Sequence, residues 1–178
     1  MGTSLRQGGL IMDRKETTSF LSDLLVRDRL GRRGKYYAKE VSLDYGTVDV
    51  RRIDFLEFVP AGTIYISDIE KGHFIAYEVK SCLADYRSGY GQNFIAEKNY
   101  YVMTIDLYKQ LATEIPHDLG VICPVPDGRD KLDEFEQPTP IDQSGITWTI
   151  KVIKPAITIR RKRSMIELLF CMLRSGQE

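Results

Sequence analysis

The chain has 178 residues, 43% of them apolar and 28% charged, with 25 Lys plus Arg against 25 Asp plus Glu. That is room for one domain with a substantial core, held without disulfides or a structural metal. A formal net charge of zero rules out a histone-like or polybasic protein that works by bulk charge alone, but it leaves room for a local basic patch.

No apolar run approaches the roughly 18 residues of a membrane-spanning helix, so no membrane partner is expected. The N-terminus, MGTSLRQGGL, lacks the apolar segment of a secretory signal, and Arg6 stands where a myristoylation motif needs Ser or Thr. A cytoplasmic protein is the expectation. Residues 1–12 read as a flexible arm, with Met12 as an alternative start, and residues 13–178 as a single domain. Cys82, Cys123 and Cys171 are odd in number and far apart. They suggest buried free thiols rather than a disulfide framework or a CxxC metal clip.

In chain order, Thr17 or Thr18 is placed to cap a first helix. It carries Phe20, Leu21, Leu24, Leu25 and Leu30 near helical spacing and stops at Gly31. Tyr36 to Val59 is β-branched, aromatic and alternating, broken at Asp44-Tyr45-Gly46, which predicts two strands. Pro60-Ala61-Gly62 ends the second, and Ile64-Tyr65-Ile66 would extend the hairpin. Lys71-Gly72 is a turn before a strand over His73–Cys82. Gly89 and Gly91 mark a loop. A short strand at Asn99–Thr104, a helix over Asp106–Glu114 and a buried strand over Gly120–Val125 follow. Asp127–Ser144 is a polar loop with Pro138 and Pro140, Ile146–Ile153 alternates as a strand, and Ser164 caps a last helix through Leu173. The sum is an α+β domain with a central mixed sheet flanked by helices.

Charge is uneven along this order. Six bases stand in 27–39 against Asp28, and six in 151–163 with no acid. Residues 127–142 hold six acids against Arg129 and Lys131.

The strand from Phe74 to Cys82 carries the chemistry. Ile75, Tyr77 and Val79 fall on one face; Ala76, Glu78, Lys80 and Cys82 fall on the other. Charges on such an apolar strand are costly unless paired or metal-bound. A carboxylate and an ammonium two residues apart can share one site, the Glu on a hard cation and the Lys beside the charged oxygen. The Glu-x-Lys triplet itself is expected about once by chance in a chain of this composition, so its value lies in context. The preceding strand holds Asp54 in Arg51-Arg52-Ile53-Asp54-Phe55-Leu56-Glu57-Phe58, among β-formers where Asp is disfavoured. Asp49 is a rival. Five positions separate the two, so in an unbroken strand they face opposite ways, and only one can join Glu78.

An N-terminal helix, an acid in one strand and Glu-x-Lys in the next resemble the PD-(D/E)xK nuclease superfamily, the restriction-endonuclease-like fold. The stretches IDFLEFVP and IEKGHFIAYEVKSCLADYRSGYGQNFIAEKNYYVM are similar to small phage and mobile-element nuclease-like proteins of that superfamily. The resemblance covers residues 36–125, about half the chain. It departs at the first acid, which no proline precedes: Ile53 stands before Asp54 and Val48 before Asp49. The resemblance implies that Asp54 (or Asp49) and Glu78 bind Mg²⁺, with Mn²⁺ able to substitute, and that Lys80 positions the attacking water. Glu40 is a candidate third ligand. Lys98, Asn93 and Tyr100 are candidates for contacting nucleic acid, as are the bases Arg160, Arg161, Lys162 and Arg163, which would set affinity rather than sequence choice.

Asp85 and Tyr86 read as residues that cap or pack a short helix. Trp148, Tyr101 and Phe94 read as core, and His73 and His117 lie too far apart for zinc. No GxSxG, Walker A or HExxH motif is present. Three readings result. The first is a Mg²⁺-dependent deoxyribonuclease of repair or phage type. The second is a nuclease-fold protein that binds nucleic acid or a partner protein without cutting. The third is an unrelated domain with a structural Glu78–Lys80 ion pair. A homodimer is open in all three.

Overall fold

Asp13 opens the first helix of the computed structural model, which describes residues 12–62 and 65–175. Its side chain accepts the Glu16 N–H at 2.8 Å while Glu16 reaches back to the Asp13 N–H at 2.8 Å, a reciprocal capping box. The helix α1 (Arg14–Leu25) therefore begins before Thr17 and Thr18. Their hydroxyls instead donate to the Asp13 and Arg14 carbonyls inside the first turn. A wider π-helical turn, Val26–Leu30, continues it to Gly31.

Six strands follow: β1 (Tyr36–Leu43), β2 (Arg51–Val59), β3 (His73–Val79), β4 (Lys98–Val102), β5 (Gly120–Pro126) and β6 (Trp148–Lys154). They form one sheet in sequence order. β1, β2 and β3 are antiparallel neighbours, β3, β4 and β5 run parallel, and β6 returns antiparallel to β5. The short helices α2 (Ile66–Glu70), α3 (Leu83–Arg87), α4 (Ile105–Leu111) and α5 (Lys131–Glu136) lie in the connections, and α6 (Met165–Ser175) follows β6. The fold is thus α+β, a six-stranded mixed sheet flanked by helices. No described helix is long and apolar enough to cross a membrane.

Alternation sends odd and even positions of β3 to opposite layers, as the strand pattern requires. Ile75, Tyr77 and Val79 pack with Leu21 and Leu25 of α1. Phe74 and Ala76 pack with Leu56, Phe58 and, from α6, Leu168 and Cys171. Farther along that face, Tyr101 and Val121 pack with Leu107 and Leu111 of α4.

Several expected boundaries move. Tyr65 and Ile66 begin α2 instead of extending a hairpin; Ile64 lies outside the described residues. β3 ends at Val79, before Cys82. Thr104, not Asp106, caps α4, accepting the Leu107 N–H at 3.3 Å. The 127–144 segment contains α5 and is organised by a buried ion pair. The Glu134 carboxylate meets Arg129 Nε at 3.1 Å and accepts the Thr139 N–H at 2.7 Å, a closure that composition alone does not reveal. The three cysteines are free.

A polar knot crosses the α1 layer. Glu57, fully buried, accepts Tyr77 O–H at 2.6 Å and Lys35 Nζ at 2.7 Å. Tyr77 Oη in turn accepts Arg29 Nε at 2.9 Å, and the Arg29 guanidinium lies over the Tyr77 and Tyr100 rings. Glu57→Ala leaves the Tyr77 hydroxyl buried beside Arg29 with its acceptor gone. It is expected to cost about 2–4 kcal/mol of stability, read by urea unfolding. A change under about 0.5 kcal/mol would show the knot to be dispensable.

Candidate active site

The β2–β3 register places the two acids. Phe55 pairs with Tyr77 and Leu56 with Ala76; one step further, Asp54 stands opposite Glu78. Directly opposed side chains on neighbouring strands sit about 5 Å apart. The ladder stops at Phe55–Tyr77, and a cleft of about 970 Å³ lies here, lined by Asp54, Glu78 and Lys80 together with parts of α1, β1 and the 85–93 segment.

Asp54 is oriented by the Val79 N–H, which donates to its Oδ2 at 2.8 Å. Burial raises its carboxyl above the ordinary range, opposed by that N–H and by Lys80. Glu78 is fully buried, and neither carboxylate oxygen has a hydrogen-bond partner. Burial, and then the neighbouring Asp54, push its carboxyl up to about 9, with Lys80 acting the other way. A buried carboxyl that faces a second acid and receives no donor from the rest of the chain is a costly arrangement that folding alone does not explain. Lys80 is also buried. Its Nζ donates to the Tyr90 carbonyl at 2.5 Å, and its backbone N–H continues the sheet to Val102. Glu78 and Lys80 form no ion pair, so the reading of a purely structural Glu78–Lys80 bridge fails. Lys80 is instead tied to the loop above the acids.

That loop turns on Gly89 and Gly91, both at positive φ. A Cβ at Gly91 would lie 2.6 Å from Glu78 Oε2 and 3.2 Å from Lys80 Nζ, so Gly91 is the lid-side wall of the site. Gly91→Ala is expected to strain the φ +68 backbone and push Glu78 aside. A loss of about 1–3 kcal/mol by thermal melting is predicted, whereas Gly128→Ala, with open space at its positive φ, should cost less.

The other predicted residues divide. Asn93 lines the cleft and donates to the Arg52 carbonyl at 2.8 Å. Glu40 lines it too, next to Asp54 in the β1–β2 register, but its φ is +53 and its carboxylate pairs with Arg52 at 2.7 Å. Asp49 lies in the exposed turn between β1 and β2, outside the cleft, because that turn closes early on Asp44. Asp54 is therefore the acid that joins Glu78. Tyr100 is buried and stacked on Tyr77, and Lys98 pairs with Ile75, three residues upstream of Glu78 on β3. Arg160, Arg161, Lys162 and Arg163 line a separate depression with Glu97. There Arg161 pairs with Glu97 at 2.6 Å, and Arg163 pairs with Asp44 at 2.7 Å and with Glu167 at 3.1 Å.

Sequence reasoning counted Lys39 within the 27–39 basic cluster but missed the cleft's other bases, Arg14, Arg51 and Arg52. The four cleft bases come from three elements, and only Arg51 and Arg52 are neighbours in the chain. Asp85 is more than a cap. It accepts Ser81 N–H and Oγ–H and pairs with Arg14 at 2.8 Å on the cleft wall. The 127–147 loop leaves the same end of the sheet as Glu78, but none of its residues lines the cleft.

Glu78, with two oxygens lacking donors, beside a second carboxylate and a cation, suits a hard divalent ion. Among the described residues no three or more His, Cys, Asp or Glu side chains converge as a metal cluster, so water and substrate oxygens would complete such a shell.

No protein-family model matches the chain, and no curated protein matches it in sequence. Among solved structures, it is similar to the SPO1766 protein of unknown function from Silicibacter pomeroyi. The TM-score is 0.57 at 13% identity, over 90% of this chain and 86% of that one. At that identity the likeness concerns the fold alone.

Proposed function

We propose that the protein is a Mg²⁺-dependent nuclease that hydrolyses DNA phosphodiester bonds, with a restriction-endonuclease-like core of the PD-(D/E)xK type. The observation that carries the proposal is the meeting of Asp54 with a buried Glu78 at the floor of a cleft, with the Glu78 oxygens free of donors and Lys80 adjacent.

Asp54 and Glu78 would hold Mg²⁺ (or Mn²⁺), which supplies charge neutralisation at the phosphate and a more acidic bound water. The chain's own residues do the rest. Glu78 would release its proton to solvent in order to hold the ion. Asp54 is held in place by the Val79 N–H. Lys80, on leaving the Tyr90 carbonyl, places its ammonium where charge develops on the phosphate oxygens. Arg14, Lys39, Arg51 and Arg52 line the approach and would hold flanking phosphates.

The second reading, a nuclease-fold protein that binds nucleic acid or a partner without cutting, draws on one observation. Glu78 is 0% and Lys80 3% exposed, beneath Gly91. Plasmid, linear, branched and single-stranded DNA incubated with protein and Mg²⁺ or Mn²⁺ decide between them. Cleavage lost in Asp54→Asn and Glu78→Gln supports the first. DNA binding without cleavage on every substrate moves the assignment to the second.

A further inference from the structure

Both Glu78 carboxylate oxygens are shut off from solvent, and Lys80 is almost as deeply covered. Mg²⁺ binds a carboxylate oxygen at about 2.1 Å and keeps several waters, so it needs about 4 Å of clear space beyond that oxygen. The chain fills this space on the loop side, where a Cβ at Gly91 would lie 2.6 Å from Glu78 Oε2. An ion therefore reaches Glu78 only after part of the chain moves.

The 89–92 segment is built to be that part. It is anchored at both ends. Ser88 Oγ donates to the Asp85 carbonyl at 2.7 Å, and Asn93 donates to the Arg52 carbonyl at 2.8 Å. Between the anchors, Gly89 and Gly91 sit at positive φ, and glycine takes either sign of φ cheaply, so both can absorb a hinge rotation. The segment brings no side chain to the core: Tyr90 is 81% exposed, and a Cβ at Gly89 would meet nothing within 4 Å. What ties it to the floor of the site is the Lys80 ammonium, bonded to the Tyr90 carbonyl at 2.5 Å.

We infer that residues 89–92 are a lid over the acids and that Lys80 is its latch. One movement uncovers Glu78 and frees the ammonium, so the site is complete only when open. What the lid admits rests on the reading of Asp54 and Glu78 as cation ligands. A phosphate oxygen, being charged, is a stronger acceptor for Lys80 than the Tyr90 carbonyl. Substrate in the cleft therefore draws the latch off, and the closed form keeps the acids covered until it does.

Thiol labelling reads the opening without metal or DNA. Glu78→Cys is made in a Cys82→Ser background, since the Cys82 side chain caps nothing. Cys123, fully buried in β5, gauges global unfolding. With a disulfide reagent and peptide mass spectrometry, the thiol of Glu78→Cys should react about 100-fold or more faster than Cys123, yet about 100-fold or more slower than in the urea-unfolded chain. Adding Lys80→Met should speed it about 10-fold or more. Loss of a neighbouring ammonium by itself slows a thiol by disfavouring its thiolate, so acceleration reports the latch. Tyr90→Trp, at an exposed position, gives a second readout with Glu78 in place. Its quenching by Mn²⁺ should level off in rate as Mn²⁺ rises, at a plateau that Lys80→Met raises. Labelling no faster than Cys123, labelling as fast as in the unfolded chain, or a rate indifferent to Lys80→Met overturns the inference. So does a quenching rate that climbs in proportion to Mn²⁺ throughout. Labelling as expected in a chain that neither binds Mn²⁺ nor cuts DNA supports the lid and removes the cation reading.

Discussion

Glu78→Gln is expected to abolish Mg²⁺ and Mn²⁺ binding and cleavage while raising the melting temperature. The two effects share one cause. The Glu78 carboxyl sits at about 9 in the folded chain against an ordinary 4.5. A raised carboxyl means that the native state keeps a proton that the unfolded chain releases. Below about pH 4.5 both states bind it, and the group's contribution to stability is fully present. Between 4.5 and 9 stability falls as pH rises, and the contribution is gone above about 9. Gln has no proton to lose, and its amide can donate to Asp54. At pH 8 the variant should gain about 2 kcal/mol, or about 5 °C in a domain of this size. Cleavage should fall by about 10³-fold or more. The sign also governs the wild type. Glu78 must ionise to bind a cation, so affinity measured by titration calorimetry should rise steeply from pH 6 to pH 9. A Gln variant that melts lower and still binds Mn²⁺ would sink the assignment of this pair.

Lys80→Met should separate binding from chemistry. The methionine fills the buried stem volume without the ammonium. At saturating Mg²⁺ the variant should bind DNA within a few-fold of wild type and cleave about 10²–10³-fold more slowly. Loss of the cation also removes the larger of the two charges, Lys80 and Arg52, that ease ionisation of Glu78, so half-saturation with Mg²⁺ should move to higher pH. Single-turnover cleavage at several pH values reads both effects. A rate unchanged at saturating metal would show that Lys80 only anchors Tyr90. Freed from that tie, the 88–92 segment should also exchange its amide hydrogens faster in the variant, independently of any activity.

Much of the site was legible because it is local. Two-residue alternation placed Glu78 and Lys80 on one face and Tyr77 on the other, and packing puts Tyr77 with α1 and Ala76 with α6. The choice between Asp54 and Asp49 was open because it depends on where a turn closes and which pairs form across strands. The basic clusters were misleading for the same reason. Arg161 and Arg163 look available in the chain, yet Glu97 and Asp44, 64 and 119 positions away, engage them. The cleft's basic set was not legible as a group because Arg14, Lys39 and the Arg51-Arg52 pair lie on three separate elements.

By itself, the sequence determined an α+β chain of alternating strands and amphipathic helices, with an acid and a lysine on one buried face. Those properties follow from side-chain periods of two and about 3.6, which neighbouring residues set without help. Only the tertiary structure decided that Asp54 faces Glu78, that Glu78 keeps its oxygens unpaired, and that Gly91 roofs them. It also decided which charges in a balance of 25 against 25 neutralise one another and which line the cleft. Pairing and burial bring together residues far apart in the chain, and electrostatic energies follow distance and solvent access in space rather than order in sequence.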